Sequence, residues 1–317
     1  MRTLFGIMLR RKPLAWIGLL LAWVLTSIHT QSASVDEFAA RNFTNSVGQT
    51  IPYRLLVPKA DRTGEHDPLV LFFHGAGERG TDNQSQLVHG ASLFLKPENR
   101  ERYPCFVLAP QCPEKQQWVD MPWGADSGER PPTPSAAMQL ALETLDAVIK
   151  EFSVDTNRIY VTGLSMGGYA TWDCLTRFPD RFAAAVPVCG GGDERTVTVP
   201  VAKVPVWAFH SDDDTVVKTK RTRNMIQALR EAGGQPKYFE YRGLGHNAWD
   251  AAYGEPELLA WMFAQRLGRA DTYRLRASNP SMPVSDEFPD LLHPNATGYA
   301  KWTQALKPLV ASLNPAR

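Results

Sequence analysis

Arg158-Ile159-Tyr160-Val161-Thr162-Gly163-Leu164-Ser165-Met166-Gly167-Gly168 is the stretch that decides the fold. Residues 159–162 are β-branched or aromatic and read as a short buried strand, and Tyr169-Ala170-Thr171-Trp172-Asp173-Cys174-Leu175 reads as a helix directly behind it. Between them lies Gly-x-Ser-x-Gly. A strand that becomes a helix within one or two residues holds its central residue in a strained conformation, and flanking glycines let neighbouring backbone come close. Ser165 then stands at the carboxyl edge of a sheet. Five residues alone describe a Gly/Ser turn equally well, so partners elsewhere in the chain have to decide.

Outward from this point the chain alternates. Residues 69–73, 105–109, 183–188, 204–209 and 238–241 are short apolar runs of strand type, and helical patterns at 135–152, 166–177, 218–232 and 255–267 separate most of them. That alternation predicts an α/β fold whose sheet is mostly parallel, with helices on both faces. Residues 43–47 and 51–57, on either side of Gly48-Gln49, predict an opening hairpin at the sheet edge, and Pro52 suits an edge strand. Ligands in such sheets bind beyond the carboxyl ends of the strands. The chemistry should therefore sit in the loops that follow the strands.

Three of these loops stand out. His74-Gly75-Ala76-Gly77-Glu78-Arg79-Gly80 follows the first apolar run, and its glycines allow backbone N–H groups to converge where an oxyanion develops. His74 precedes the serine and reads as a brace for this loop rather than a base. His210-Ser211-Asp212-Asp213-Asp214-Thr215-Val216-Val217 follows another run and offers three adjacent candidates for an acid that orients an imidazole. Order in the sequence does not choose among the three. Gly243-Leu244-Gly245-His246-Asn247 follows the last run, and a histidine between glycines has no core to fill. The order Ser, Asp, His is that of α/β-hydrolases and differs from the chymotrypsin and subtilisin orders.

Composition bounds the alternatives. With 317 residues, 44% hydrophobic and 21% charged, the chain is long enough to bury one large core. A net charge of +1 and the lack of a basic stripe argue against nucleic acid as a partner. Arg2, Arg10, Arg11 and Lys12 precede the apolar residues 14–26, and small or polar residues 32–34 follow, which is the layout of a secretory signal peptide over 1–33. Gln31 blurs the cleavage site and leaves a retained membrane anchor as the alternative; either way the expected location is secreted or periplasmic. Cys105 and Cys112 bracket a strand whose ends lie about 20 Å apart, beyond disulfide reach, and Cys174 with Cys189 is open sterically, although buried free thiols are the commoner fate. Nothing resembles a zinc-ligand spacing.

From about residue 46 to 267 the chain resembles exported esterases and predicted peptidases of the α/β-hydrolase superfamily, near the phospholipase/carboxylesterase and feruloyl or acetylxylan esterase groups. The matching stretches are residues 51–55, 74–83, 109–113, 163–168 and 210–217, and Gly245-His246 with Trp249. The resemblance implies Ser165, His246 and Asp214 as the catalytic residues, the acid following from a His-Gly-x-x-Asp-x-Val-Val pattern in which Ser211 replaces the glycine. It also implies the backbone N–H groups of Ala76 and Met166 as oxyanion donors, and no cofactor. Trp118 and Trp123, in the Pro-rich loop after residue 109, and Trp249 beside His246 are candidate aromatic platforms for a sugar ring or a ferulate. The expected activity is secreted carboxylic-ester hydrolysis of polysaccharide or small esters, with a serine peptidase or a non-catalytic carbohydrate-binding protein as the alternatives on one fold.

Residues 269–317 break the pattern. Asp290-Leu291-Leu292-His293-Pro294-Asn295 resembles the final block of SGNH or GDSL hydrolases, yet the chain has no Gly-Asp-Ser block to go with it. The expected organisation is thus a leader over 1–33, a catalytic domain over 34–268 and an extension over 269–317, with the extension dispensable for chemistry.

Overall fold

A computed structural model describes residues 37–59 and 65–268; the leader and the carboxyl-terminal extension lie outside the described residues. Eight strands form one sheet: β1 Ala39–Thr44, β2 Thr50–Leu56, β3 Asp67–Phe73, β4 Phe106–Pro110, β5 Val154–Leu164, β6 Ala184–Val188, β7 Trp207–Ser211 and β8 Lys237–Tyr241. The described helices are α1 Pro97–Arg102, α2 Ala136–Glu151, α3 Met166–Arg177, α4 Val199–Ala202, α5 Lys220–Glu231, α6 Trp249–Tyr253 and α7 Leu258–Phe263. The strand order is β1-β2-β4-β3-β5-β6-β7-β8. Strands β4 to β8 run parallel, together with β3, while β1 and β2 are antiparallel, as an opening hairpin requires.

Alternation of side chains along the central strands builds two cores. Leu69, Leu71 and Phe73 of β3 and Ile159 and Val161 of β5 face one side, where α2, α3 and α5 cover them. Val70, Phe72 and Tyr160 face the other, under α6, α7 and the turn Ala91–Leu95. Burial on both faces is why these strands read as unbroken apolar runs rather than alternating ones. Ser135 caps α2 by accepting from the Met138 N–H at 3.1 Å, which fixes where the helix begins.

Three details differ from the sequence expectation. β2 is not the edge strand, since β1 lies outside it; Pro52 is accommodated because its carbonyl accepts from the Gln111 N–H at the end of the β2–β4 ladder, where its missing donor costs little. The helix expected over 255–267 is shortened to α7, Leu258–Phe263, and a separate short helix, α6, precedes it, the two parted by Gly254 and Pro256. β5 begins at Val154, five residues early, because Val154 pairs with Asp67 across a register shift. All four cysteines are buried free thiols, and burial pushes Cys105, Cys112 and Cys189 up to about 12.

The topology positions the site. After β3 the chain adds β4 on one side, then returns to place β5 on the other. The crevice beyond the carboxyl ends of β3 and β5 is thus a topological switch point, the place where α/β sheets bind ligands.

Candidate active site

Ser165 sits at that switch point, between the end of β5 and the start of α3. Its backbone is held at φ 53°, ψ −116°, a left-handed conformation that costs about 1–3 kcal/mol for a residue with a side chain. The surroundings enforce it: the Ser165 N–H donates to the Val188 carbonyl at 2.9 Å, and the Ser165 carbonyl accepts from Tyr169 at 3.1 Å. The glycines of the motif permit close packing. A Cβ on Gly163 would meet the Phe73 carbonyl at 2.6 Å, and one on Gly167 would collide with the same atom.

Three side chains from three loops then meet. His246, on the loop after β8, places Nε2 2.8 Å from Ser165 Oγ, and its Nδ1 lies 2.7 Å from Asp214 Oδ2, on the loop after β7. Asp214 is the innermost, its carboxyl wholly buried, while His246 keeps a little exposure. Burial alone would raise the Asp214 carboxyl, but hydrogen bonds from His210, His246 and the Val217 N–H outweigh it and hold the group well below the usual carboxylate range. Its second oxygen, Oδ1, accepts from the Val216 and Val217 N–H groups at 2.8 and 2.9 Å.

The other two aspartates fasten the histidine loop. Asp212 Oδ1 accepts from the Gly243 N–H at 3.1 Å, and Asp213 Oδ1 from the Gly245 N–H at 2.8 Å and the Ser211 hydroxyl at 2.6 Å. The run of three acidic residues is therefore one structural device, in which successive carboxylates grip successive points of residues 243–246.

The loop after β3 lies alongside the serine, since a Cβ on Gly75 would stand 3.6 Å from Ser165 Cβ. Ala76 begins a 3₁₀ turn, Ala76–Glu78, and Met166 begins α3. The first N–H groups of a helix have no partner within it, so both are free to donate outward. His74 braces this loop: it is buried, its Nδ1 donates to the Gly75 carbonyl at 2.6 Å, and its Nε2 accepts from the Cys112 N–H at 2.9 Å. Burial lowers its pKa to about 4, in keeping with one ring nitrogen donating and the other accepting.

The tryptophans separate. Trp118 is fully buried, donates Nε1 to the His74 carbonyl at 3.2 Å and packs edge-on against Phe73. It has no surface to offer a ligand, which corrects its assignment as a platform: its ring fills the core beneath the loop after β3. Trp123 is half-buried, with its carbonyl near the Tyr169 hydroxyl at 3.4 Å. Trp249, at the start of α6, stands edge-on to His246, ring centres 5.3 Å apart, and is tilted against His89 at 5.4 Å. A cleft lined by Gly90, Ser92, Leu93, Lys96, Trp249 and Tyr253 opens beside it. Trp249 Nε1 and, against Gly75 on the loop after β3, Glu78 Oε2 are buried without a hydrogen-bond partner. Among the described residues no three His, Cys, Asp or Glu side chains gather as a metal site would require.

Residues 131–253 match the dienelactone hydrolase family, a span that includes Ser165, Asp214 and His246. A thermostable esterase of known structure is 40% identical, with a TM-score of 0.68, over 73% of this chain and 64% of its own. The chain has the α/β-hydrolase fold. Carboxylesterase SOBER1 of Arabidopsis thaliana is 25% identical to this chain over 202 residues, 56% of this chain and 82% of that protein. The bifunctional acetylxylan esterase/xylanase XynS20E of Neocallimastix patriciarum is 27% identical over 93 residues, and this chain spans only 14% of its length. Family and relatives together support an enzyme of the serine-hydrolase kind.

His210 and Glu78 are the site residues that the sequence reading passed over. His210 follows an apolar run and looks like the histidine of a loop pattern, while Glu78 looks like a solvated turn residue. Only their positions mark them.

Proposed function

We propose that the hydrolase cleaves carboxylic esters through an acyl-enzyme, with Ser165 as nucleophile, His246 as general base and acid, and Asp214 as the orienting carboxylate. The observation that carries this reading is the unbroken line Ser165 Oγ, His246, Asp214 Oδ2, with steps of 2.8 and 2.7 Å, at the switch point of the sheet. His246 takes the hydroxyl proton as Oγ attacks the acyl carbon, and Asp214 stabilises the resulting imidazolium. The carbonyl oxygen becomes an oxyanion, which the N–H groups of Ala76 and Met166 receive. The intermediate collapses as His246 returns the proton to the leaving alcohol. Water then attacks the acyl-enzyme by the same steps in reverse, releasing the acid and restoring Ser165.

Substrate class follows from the wall beside the serine. Trp249 stands edge-on to His246 and lines the adjoining cleft, so its half-buried ring offers an apolar face suited to a sugar ring or a phenolic acyl group. Acyl esters of polysaccharide or of small hydroxylated alcohols are the substrates proposed, and the acetylxylan esterase relative favours the same class. Residues 1–33 are proposed as an export signal.

The test is a panel of p-nitrophenyl acetate, acetylxylan, methyl ferulate and a chromogenic peptide, run on the wild type and on Ser165→Ala. Ester cleavage by the wild type and a fall of about 10⁴ to 10⁶ in kcat for the variant are expected. Ester turnover retained by a folded Ser165→Ala protein overturns the mechanism, and cleavage of the peptide alone makes the enzyme a peptidase.

A further inference from the structure

A second histidine lies behind the carboxylate that holds His246. His210, on β7, is fully buried. Its Nδ1 is 2.7 Å from Thr222 Oγ1, and that hydroxyl lies 2.6 Å from the Gly190 carbonyl. A carbonyl oxygen has no proton, so Thr222 is the donor to Gly190. A hydroxyl has only one proton, so Thr222 accepts from the ring, and His210 Nδ1 carries a hydrogen. On the opposite edge Nε2 lies 3.1 Å from Asp214 Oδ2 and 2.9 Å from the Val217 carbonyl. Both are acceptors, so Nε2 carries a hydrogen as well. Two donating nitrogens make the ring an imidazolium.

A buried cation of this kind requires a counter-charge, and the wholly buried carboxylate of Asp214 supplies it. The other ionisable groups around the pair are occupied or neutral. Glu240, opposite His210 on β8, is taken by Arg223 at 2.8 Å and the Tyr238 hydroxyl at 2.6 Å. Burial raises the Tyr169 hydroxyl on α3 and the Cys189 thiol after β6, which leaves both protonated. Arg221, next to Thr222 on α5, is a second buried cation, which lies over the Tyr169 ring at 5.5 Å and donates to the Gly192 carbonyl at 3.0 Å, and Asp213 is tied to Ser211 and Gly245. Asp214 is thus the carboxylate that answers His210, and its Oδ2 serves His210 and His246 together.

We infer that His210 is a positioning residue: a fixed imidazolium that clamps Asp214 and opposes protonation of His246, so that Ser165 keeps an unprotonated base into mildly acidic medium. The sign follows from electrostatics. A positive charge sharing one carboxylate oxygen with His246 disfavours a second positive charge on that ring. The consequence for catalysis rests on the ester-hydrolase reading above, whereas the proton count on His210 rests on the hydrogen-bond geometry alone.

Two measurements test it. In the wild-type protein labelled with ¹⁵N-histidine at neutral pH, His210 should show protons on both ring nitrogens, assigned by their loss in His210→Gln. A single protonated nitrogen overturns the inference, whether or not any ester is cleaved and whether or not a variant folds. The second is the pH profile of kcat/KM on p-nitrophenyl acetate for wild type, His210→Gln and Thr222→Val. The Gln amide donates to Asp214 without a charge, and Val removes the acceptor that keeps the Nδ1 proton in place. Both variants should move the acid limb about one to two pH units upward with KM unchanged. A purely structural role would lower the plateau and leave the limb where it was, and that result in folded variants refutes the inference. No ester turnover in the wild type, with two ring protons present, would count against the ester-hydrolase reading and not against the imidazolium.

Discussion

Asp214→Asn is the substitution that separates a working acid from a neighbouring one. The backbone N–H groups of Val216 and Val217, 2.8 and 2.9 Å from Oδ1, can only donate, whereas the rings at Oδ2 can shift their protons, so the amide oxygen takes the Oδ1 place. The NH₂ group is then left at the Oδ2 position, 2.7 Å from His246 Nδ1. A donor there makes Nδ1 an acceptor and moves the His246 proton to Nε2, the nitrogen that faces Ser165. The base has lost its lone pair. Wrong-tautomer losses of this kind are about 10⁴ in kcat, or about 5.4 kcal/mol of transition-state stabilisation. Asp212→Asn and Asp213→Asn each retain an oxygen that can accept from Gly243 or Gly245, so their losses should stay within about a factor of five. The assay is kcat on p-nitrophenyl acetate for the three variants, with circular dichroism to check the fold. Equal losses at all three positions, or a larger one at Asp213, would refute the assignment of Asp214.

The remaining predictions concern packing, acid and chain length. Trp118→Ala should lose about 3–5 kcal/mol of stability with KM little changed, while Trp249→Ala should raise KM for a sugar ester with little change in melting temperature; the reverse pattern would place Trp118 in the substrate path. Because the folded Asp214 carboxyl is depressed below its unfolded value near 3.9, its stabilisation is present above about pH 4 and is lost as pH falls through the folded value. Urea midpoints at pH 5 and pH 3 should therefore fall further for the wild type than for Asp214→Asn, and equal falls would contradict the depression. The Leu267 N–H donates to the Asn157 carbonyl at 2.9 Å, which ties the end of the described domain back to β5, so a chain ending at Arg269 should keep its kcat on a small ester, and His293→Ala should be silent. A truncated chain that folds but loses turnover would mean that residues 270–317 reach the active site.

What was legible in the sequence divides along a physical line. Central strands such as Leu69 to Phe73 are buried on both faces, so composition alone marks them, and Met166 to Arg177 was bounded to the residue because the elbow fixes its start. The early start of β5 depended instead on its pairing with Asp67, which local propensity does not see. The tryptophans show the same limit at the site. Trp118 and Trp249 both follow strands in polar, irregular text without periodicity, yet one is sealed beneath the loop after β3 and the other stands against His246. Nothing in their sequence neighbourhoods distinguishes a ring that satisfies a buried carbonyl from one that stands against His246.

Family resemblance selected Asp214, but it gave no reason for the flanking acids, and composition makes them look like a solvated turn. Their reason is geometric. Ser165 and His246 are 81 positions apart and Asp214 and His246 are 32 apart, and what brings them together is the order of strands, with β7 beside β8. Once those strands are neighbours, the loop after β8 has to be held in register with the loop after β7 along several residues, or His246 would swing away from Ser165. Asp212 and Asp213 supply that register through Gly243 and Gly245, where φ of 71° and 57° favours glycine and turns the backbone N–H toward them. The acid loop therefore orients the imidazole twice, once through its ring and once through the backbone that carries it, and only the first of these leaves a recognisable pattern in the sequence.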